Sequence, residues 1–553
     1  MSPRLTRLEL ALVAAIFAIG LGLRAAYPSR MAVEHFDEGV YASNLYTPEG
    51  RYPFQHLYAP PLLPFCLEWA AIFGGPPAVM WVNVFSGSLT LLVLWGMVRQ
   101  WWGPPSAIAA MVLLAFNEFH IAYSRAALTD AMLGLWMTAG VWAGWRAIQL
   151  GGPVNIAAAG VLASLAWWTK YNGWLTLAIT GSGTAGWILF GGGRSGAPKT
   201  DTVFGAAGVY LGRWGMTAAI AFLLWSPWLW ELQQYGGYSA VAKNHAQYFT
   251  GLGQWTENAV RQLSAWASYH HIWTTLGLAI AGIAQSFLHS SRDQLPLSAR
   301  SKVAWTLPQV ISTSPFWVLL AWVCGMSVAV PLYTAYPRLS LPWVIATPTF
   351  VIAMLVAGGF SPSADHERSA QSESVTKRRL ILYVALGVFV VFSIGDNFRR
   401  DLLRFGVGVQ WEDRRSLSFV ADQILARLQS QSLTREVDGA RCIVAVVAEP
   451  GLFFHLSAAQ RSSPVGHVAL PAADFSVAKP GSNTSELPVY LVAGPHADHS
   501  EADRLIAEGR LEQVTEFEYR PSHLVLLDSR PAWDLPPKDK PVVERVRLLH
   551  VKP

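Results

Sequence analysis

A succession of long apolar runs is the feature that most constrains this chain. The first, Leu8 to Tyr27, reaches the length that crosses a bilayer as a helix, about 20 residues. Runs of that kind begin near Leu8, Ala78, Pro104, Leu128, Val154, Gly173, Trp214, Trp273, Pro315, Leu339 and Leu380. Each extends for roughly 17–22 residues. "NEFH" interrupts the third, and the seventh ends at Trp228-Leu229-Trp230. In hydrocarbon a chain must satisfy its backbone polar groups internally, which a helix does within itself. Only 14% of the residues are charged, against about 25% in a soluble globular chain. The 25 tryptophans suit aromatic belts at the two membrane interfaces. The expectation is an all-α polytopic membrane protein with about 11 transmembrane helices. Leu8–Tyr27 lacks an A-x-A cleavage site and reads as an uncleaved first helix.

Basic residues in the short loops orient the bundle. With the N-terminus inside, Arg4, Arg7, Arg99, Arg146, Arg213, Arg300 and Lys377–Arg379 all fall on the inner, cytoplasmic side. After about Phe398 the pattern changes. "CIVAVVA" (442–448), "LPVYLVAG" (487–494) and "HLVLLDS" (523–529) are strand-length runs bounded by turn residues. Helix-like stretches such as "SLSFVADQILARLQSQ" lie between them. The division expected is a membrane domain over 1–397 and a small C-terminal α/β domain over 398–553. Eleven spans place that second domain outside the membrane. Cys66, Cys324 and Cys442 are too far apart for a zinc motif, and a net charge of +5 is too diffuse for nucleic acid. No phosphate-binding G-x-x-x-x-G-K-[ST] loop is present, which disfavours ATP-driven work.

The unusual polar stretches all fall on the outer side. They are "HFDEGVYASNLY" (35–46), "RYPFQHLYAPPLLP" (51–64), "HIAYSRAALTD" (120–130), "WWTKYNGW" (167–174), "KNHAQYF" (243–249) and "YTAYPRLSLPW" (333–343). Taken singly, each has an ordinary reading. Asp37 and Glu38 suit a solvated helix start, Asp130 a helix cap, and Arg125, Lys170 and Arg338 interfacial anchors. Taken together, they place carboxylates, cations and aromatics on one face. Adjacent residues of a helix diverge, so at most one of Asp37 and Glu38 can enter a shared site. A carboxylate in a partly dry place serves as a general base or ligates a divalent cation. Basic residues on the outer side run against the charge bias and suit a phosphate held at the membrane plane. His56, His245 and the pair His270-His271 rank lower. "APPLLPFCLEWAAIFGG" (59–75) reads as a helix lying in the interface.

These residues, in this order, resemble the GT-C superfamily of membrane glycosyltransferases. They are closest to the branch of protein O-mannosyltransferases and aminoarabinose–lipid A transferases (family 39/83-like). The likeness rests on the Asp-Glu of the first outer loop with its following Tyr41, "PPLLP", "SR…D", "TKYNG" and "YPRLSLPW", within roughly the first 350 residues. It implies a GT-C fold, a polyprenyl-phosphate sugar donor and an acceptor arriving from outside. Asp37, Glu38 and Asp130 would be the acidic residues of catalysis. Arg125, Lys170, Arg338 and His56 would hold the donor phosphate, and Tyr41, Tyr171 and His245 would contact acceptor or sugar. The aminoarabinose transferases carry an Arg where this chain has Val40, and a Lys where it has Ala59.

The function expected is transfer of a sugar from a polyprenyl-phosphate donor to a protein, lipid or glycan hydroxyl. It would proceed with inversion at the outer face of a bacterial inner membrane; the motifs assign no cofactor and are compatible with a divalent cation. Two other readings compete. A flippase for a lipid-linked sugar needs ionisable residues deep in the spans, which are nearly charge-free here. A non-catalytic envelope assembly protein would use its outer domain to bind a partner.

Overall fold

The computed structural model describes residues 5–47, 49–191, 203–268, 313–334, 336–357, 384, 386–392, 394–395, 409–431, 436–437, 439–460, 463–478, 487–527 and 540–552. The helical part opens with α1 (Arg7–Ala25), whose N-terminus is capped by Thr6. Two short helices, α2 (Phe36–Ala42) and α3 (Gln55–Tyr58), follow it in the first loop. Then come α4 (Leu62–Gly74), α5 (Val79–Trp102), α6 (Pro104–Ala115), α7 (Glu118–Ser124), α8 (Thr129–Leu150), α9 (Pro153–Thr169), α10 (Leu175–Phe190) and α11 (Val203–Gln233). Beyond them lie α12 (Gly237–Ala246), α13 (Trp255–Ser268), α14 (Ser314–Ala329) and α15 (Leu341–Ala357).

The interruption at "NEFH" is a true break. The α6 and α7 axes differ by 62°, and the Asn117 side chain accepts from His120 N at 2.8 Å to start the second piece. The carbonyls that the break frees at Leu114 and Ala115 accept from the buried Arg24 guanidinium at 3.1 and 3.2 Å. Among the described residues, four stretches are long and apolar enough to cross a membrane, or five if the bent pair is one span. The other expected spans on described residues form shorter or less apolar helices. The span expected at Trp273 lies outside the described residues, and the one at Leu380 is described only in part. In α4 the exposed Phe65, Trp69 and Phe73 line one face, Phe65 edge-on to Trp69 and Trp69 stacked on Phe73.

The C-terminal part contains a five-stranded sheet of β1 (Cys442–Val447), β2 (His467–Ala472), β3 (Val489–Ala493), β4 (Leu511–Tyr519) and β5 (Glu544–Val551), in the order β2-β1-β3-β5-β4. β1 pairs in parallel with β2 and β3, while β5 runs antiparallel to β3 and β4. Alternation along β1 divides its faces. Val444 and Val446 join the core under α16 (Ser416–Gln429) and α17 (Pro450–Ala459), a core continuous with that of the membrane helices. Ala445 and Val447 pack under α18 (His499–Ala507). Pro471 sits in the edge strand β2, where a missing ladder N–H is tolerated.

One expectation needs correction. "HLVLLDS" is not a strand: it begins with a helical turn, α19 (His523–Leu526). Its free N-terminal amides are taken by carboxylates from elsewhere, Glu34 at Ser522 N and Glu412 at His523 N. Such capping starts a helix whatever the β-propensity of Val and Leu.

Candidate functional site

The site is built around α2. His35 occupies its N-cap, and the ring Nδ1 accepts from Asp37 N at 3.1 Å. Glu38 reaches back to accept from His35 N at 2.9 Å and Glu34 N at 3.0 Å. This reciprocal arrangement satisfies the first amides of the helix. It also sends the two acids in different directions. Asp37 meets Arg338 at 2.6 Å. Glu38 is fully buried and meets Arg414 at 2.5 and 3.1 Å, and it accepts from Ala127 N at 2.7 Å. Burial alone would raise the Glu38 carboxyl, but Arg414 brings it below the ordinary range.

A second ion pair lies nearby. Lys170 ends α9, and its Nζ donates to Asp130 Oδ1 in the first turn of α8 at 2.7 Å. The other oxygen of Asp130 is buried with no hydrogen-bond partner among the described residues. Leu128, not Thr129 or Asp130, is the N-cap of α8 and gives no side-chain cap. The capping reading of Asp130 therefore yields to the ion pair. Tyr41 links the two pairs. It is buried, which pushes its hydroxyl well above the usual range, and the charges acting on it are those of Asp37, Arg338 and Asp130. His245 lies in the field of Lys170, Asp37 and Arg338, and burial holds its imidazole below the ordinary value.

Arg338 is delivered by backbone pairing between two loops. Thr334 N donates to Tyr248 O at 2.8 Å and Thr250 N to Leu332 O at 2.9 Å. Tyr248 and Tyr336 then meet edge to face at 5.7 Å, and the Arg338 guanidinium lies 5.8 Å from the Tyr336 ring.

Of the residues expected, Asp37, Asp130, Lys170, Arg338, Tyr41 and His245 come together. Others do different work. Glu38 is a structural acid. Arg125 is buried and donates to the carbonyls of Arg24 and Ala26 at the end of α1, so its charge is spent on a helix C-terminus. The Tyr171 hydroxyl donates to His56 O, which fixes the loop between them. The His56 ring stacks on Tyr235 at 4.5 Å. Val40 and Ala59 are fully buried. His270 and His271 lie outside the described residues. Sequence reasoning missed Arg414 and Glu34: nothing in "WEDRRSLSF" marks its first Arg as the partner of a loop almost four hundred residues away. Among the described residues no group of three or more His, Cys, Asp or Glu side chains could hold a metal ion.

The architecture can now be set beside known proteins. The family described as dolichyl-phosphate-mannose-protein mannosyltransferase matches residues 77–239. The chain superposes on ArnT from Cupriavidus metallidurans bound to undecaprenyl phosphate with a TM-score of 0.53 and 13% identity, covering 98% of this chain and 97% of that one. For ArnT from the same organism in the apo state the TM-score is 0.52 and the identity 14%, with the same coverage. The fold is that of the GT-C membrane glycosyltransferases. No curated protein matches the sequence. Within this GT-C fold, α2 and the loop before α15 hold one acid–cation pair, and the start of α8 and the end of α9 hold the other.

Proposed function

We propose that the chain transfers a sugar from a polyprenyl-phosphate donor to an acceptor hydroxyl at the outer face of a bacterial inner membrane. The observation that carries this reading is the convergence of two acid–cation pairs, Asp37–Arg338 and Asp130–Lys170, from four separate stretches of the chain. Each pair is partly open, with side-chain exposure of 17% at both cations. An arriving phosphate competes for Arg338 and Lys170, bidentate for Arg and as a point charge for Lys. That exchange releases the carboxylates. Asp37 then accepts the proton of the acceptor hydroxyl or orients it, while the sugar is displaced with inversion. Held by two cations, the phosphate leaves without a general acid. A lipid-linked donor is consistent with the likeness to ArnT, which binds undecaprenyl phosphate in its solved structure.

The same reading keeps eleven spans, a cytoplasmic N-terminus and an extracytoplasmic domain after residue 398. The exposed aromatic face of α4 suits the membrane interface. The test is reconstitution in proteoliposomes with undecaprenyl-phosphate mannose as donor probe. Replacing Asp37 by Asn should abolish formation of free undecaprenyl phosphate while donor binding persists. Normal turnover in that variant would sink the assignment. Translocation of the donor without bond cleavage would favour a flippase.

A further inference from the structure

The sheet of the C-terminal part points its most chemically capable edge at α2. The chain leaves β1 first to β2 on one side and then to β3 on the other. Such a switch point opens a crevice at the carboxyl ends of the strands, where open α/β sheets hold ligands. Glu449 follows β1 and His496 follows β3. The Glu449 carboxylate accepts from His496 Nδ1 at 2.8 Å; its side chain is 3% exposed, whereas the imidazole is half-exposed. Two backbone features hold this pair. Ala448 has φ +51°, a left-handed conformation that a residue with a Cβ adopts only under constraint. A Cβ on Gly494 would lie 2.4 Å from the Glu449 Cβ, so only glycine admits the carboxylate there.

The pair borders the site already described. The His496 ring meets Phe36 edge on at 5.1 Å, and Phe36 immediately precedes Asp37. Phe36 also packs on Tyr58 at 5.9 Å, whose hydroxyl lies in the field of Asp37. Because Nδ1–H donates to Glu449, the neutral ring carries its lone pair on Nε2. That nitrogen makes no hydrogen bond to any described residue. A basic nitrogen oriented by a buried carboxylate is the arrangement that engages a hydroxyl.

We propose that Glu449 and His496 form an acceptor-binding subsite, in which Nε2 accepts a hydrogen bond from a hydroxyl-bearing acceptor that arrives from the aqueous side. The proposal rests on Asp37 as the group that receives the acceptor. The half-exposed imidazole stands on the sheet rather than on a membrane helix, which favours a water-borne acceptor over one embedded in lipid. Three carboxylates face the ring: Glu449, Glu544 and Asp37. Burial would lower the imidazole, but Glu449 above all holds it over its ordinary value of 6.5. Only the neutral ring accepts a hydrogen bond at Nε2. Acceptor binding therefore strengthens as pH rises through the raised pKa, and loss of the Glu449 charge moves that rise to lower pH.

The test uses the full chain in proteoliposomes, with undecaprenyl-phosphate mannose as donor probe. A threonine-containing peptide and lipid A serve as acceptor probes. His496→Gln should raise the peptide KM at least tenfold while hydrolysis of the donor by water stays within twofold. Glu449→Gln should shift the acidic limb of kcat/KM to lower pH. A second arm needs no turnover: diethyl pyrocarbonate labels His496, read by peptide mass spectrometry, and the peptide should slow labelling at least fivefold. An unchanged peptide KM or no protection overturns the subsite, and effects seen with lipid A alone overturn the aqueous route. Transfer persisting in Asp37→Asn would instead overturn the reading on which this one rests, leaving the labelling result intact.

Discussion

Asp37 and Glu38 are neighbours in sequence, yet their surroundings differ in kind. Glu38 is dry and saturated: two guanidinium nitrogens of Arg414 and the amides of Glu34, His35 and Ala127 all donate to it. Asp37 accepts from Arg338 alone among the described residues, and water reaches both side chains. A saturated buried carboxylate has no capacity left for chemistry and a large penalty for losing a partner. A singly paired, wetted one is weakly held and can exchange its cation for a phosphate. The number and dryness of partners, not the residue type, separate the saturated acid from the exchangeable one.

The sharpest way to break this comparison is to make one change at both arginines. Arg414→Met leaves Glu34 and Glu38 buried without their cation and should cost about 3–5 kcal/mol, read by chemical denaturation of the purified chain. Retained stability would show that the network is not saturated as described. Arg338→Met should leave stability within about 1 kcal/mol but lower transfer by about a hundredfold, the loss of one charge-stabilising donor. Equal effects at the two sites would erase the distinction.

Two smaller changes probe how α2 is held. A Cβ on Gly39 would lie 2.3 Å from Gly451 N. Gly39→Ala should therefore push α2 off α17 and cost about 1–3 kcal/mol as an overpacked contact, visible as faster amide exchange in both helices. Glu34 supplies the last test. Burial outweighs Arg414 and the Ser522 hydrogen bonds and pushes its carboxyl up to about 7 from 4.5. A raised acid favours the folded state below its unfolded pKa and loses that contribution as pH climbs through the folded value. Stability should thus fall by about 1 kcal/mol between pH 6 and 7. Glu34→Gln, already neutral, should lack that dependence; an unchanged pH profile would remove Glu34 from the titration.

Much of the helical part was legible because apolar length and helix breakers act locally. The start of α1, the break at "NEFH", the helix at "FDEGVYA" and the strands "CIVAVV" and "VYLVA" follow from patterns a few residues long. β4 was not legible, because "LEQVTEFEY" is an edge strand whose polar residues face water. "HLVLLDS" misled because two carboxylates distant in sequence cap it. Among site residues, Asp37, Asp130, Lys170 and Arg338 could be named from their order along the chain and their shared side. Arg125 could not be told from them, since only the position of the α1 C-terminus shows where its charge goes.

By itself, then, the sequence determined a helical membrane-type bundle with an α/β tail and a set of candidate polar loops. Those properties depend on hydropathy and local turn chemistry, which short windows contain. Only the tertiary structure decided that Asp37 pairs with Arg338, Asp130 with Lys170, and Glu38 with Arg414. It alone brought Glu449 and His496 to the edge of α2. Those pairings join residues 40 to 376 positions apart, and their energies depend on burial and distance, which no local pattern encodes.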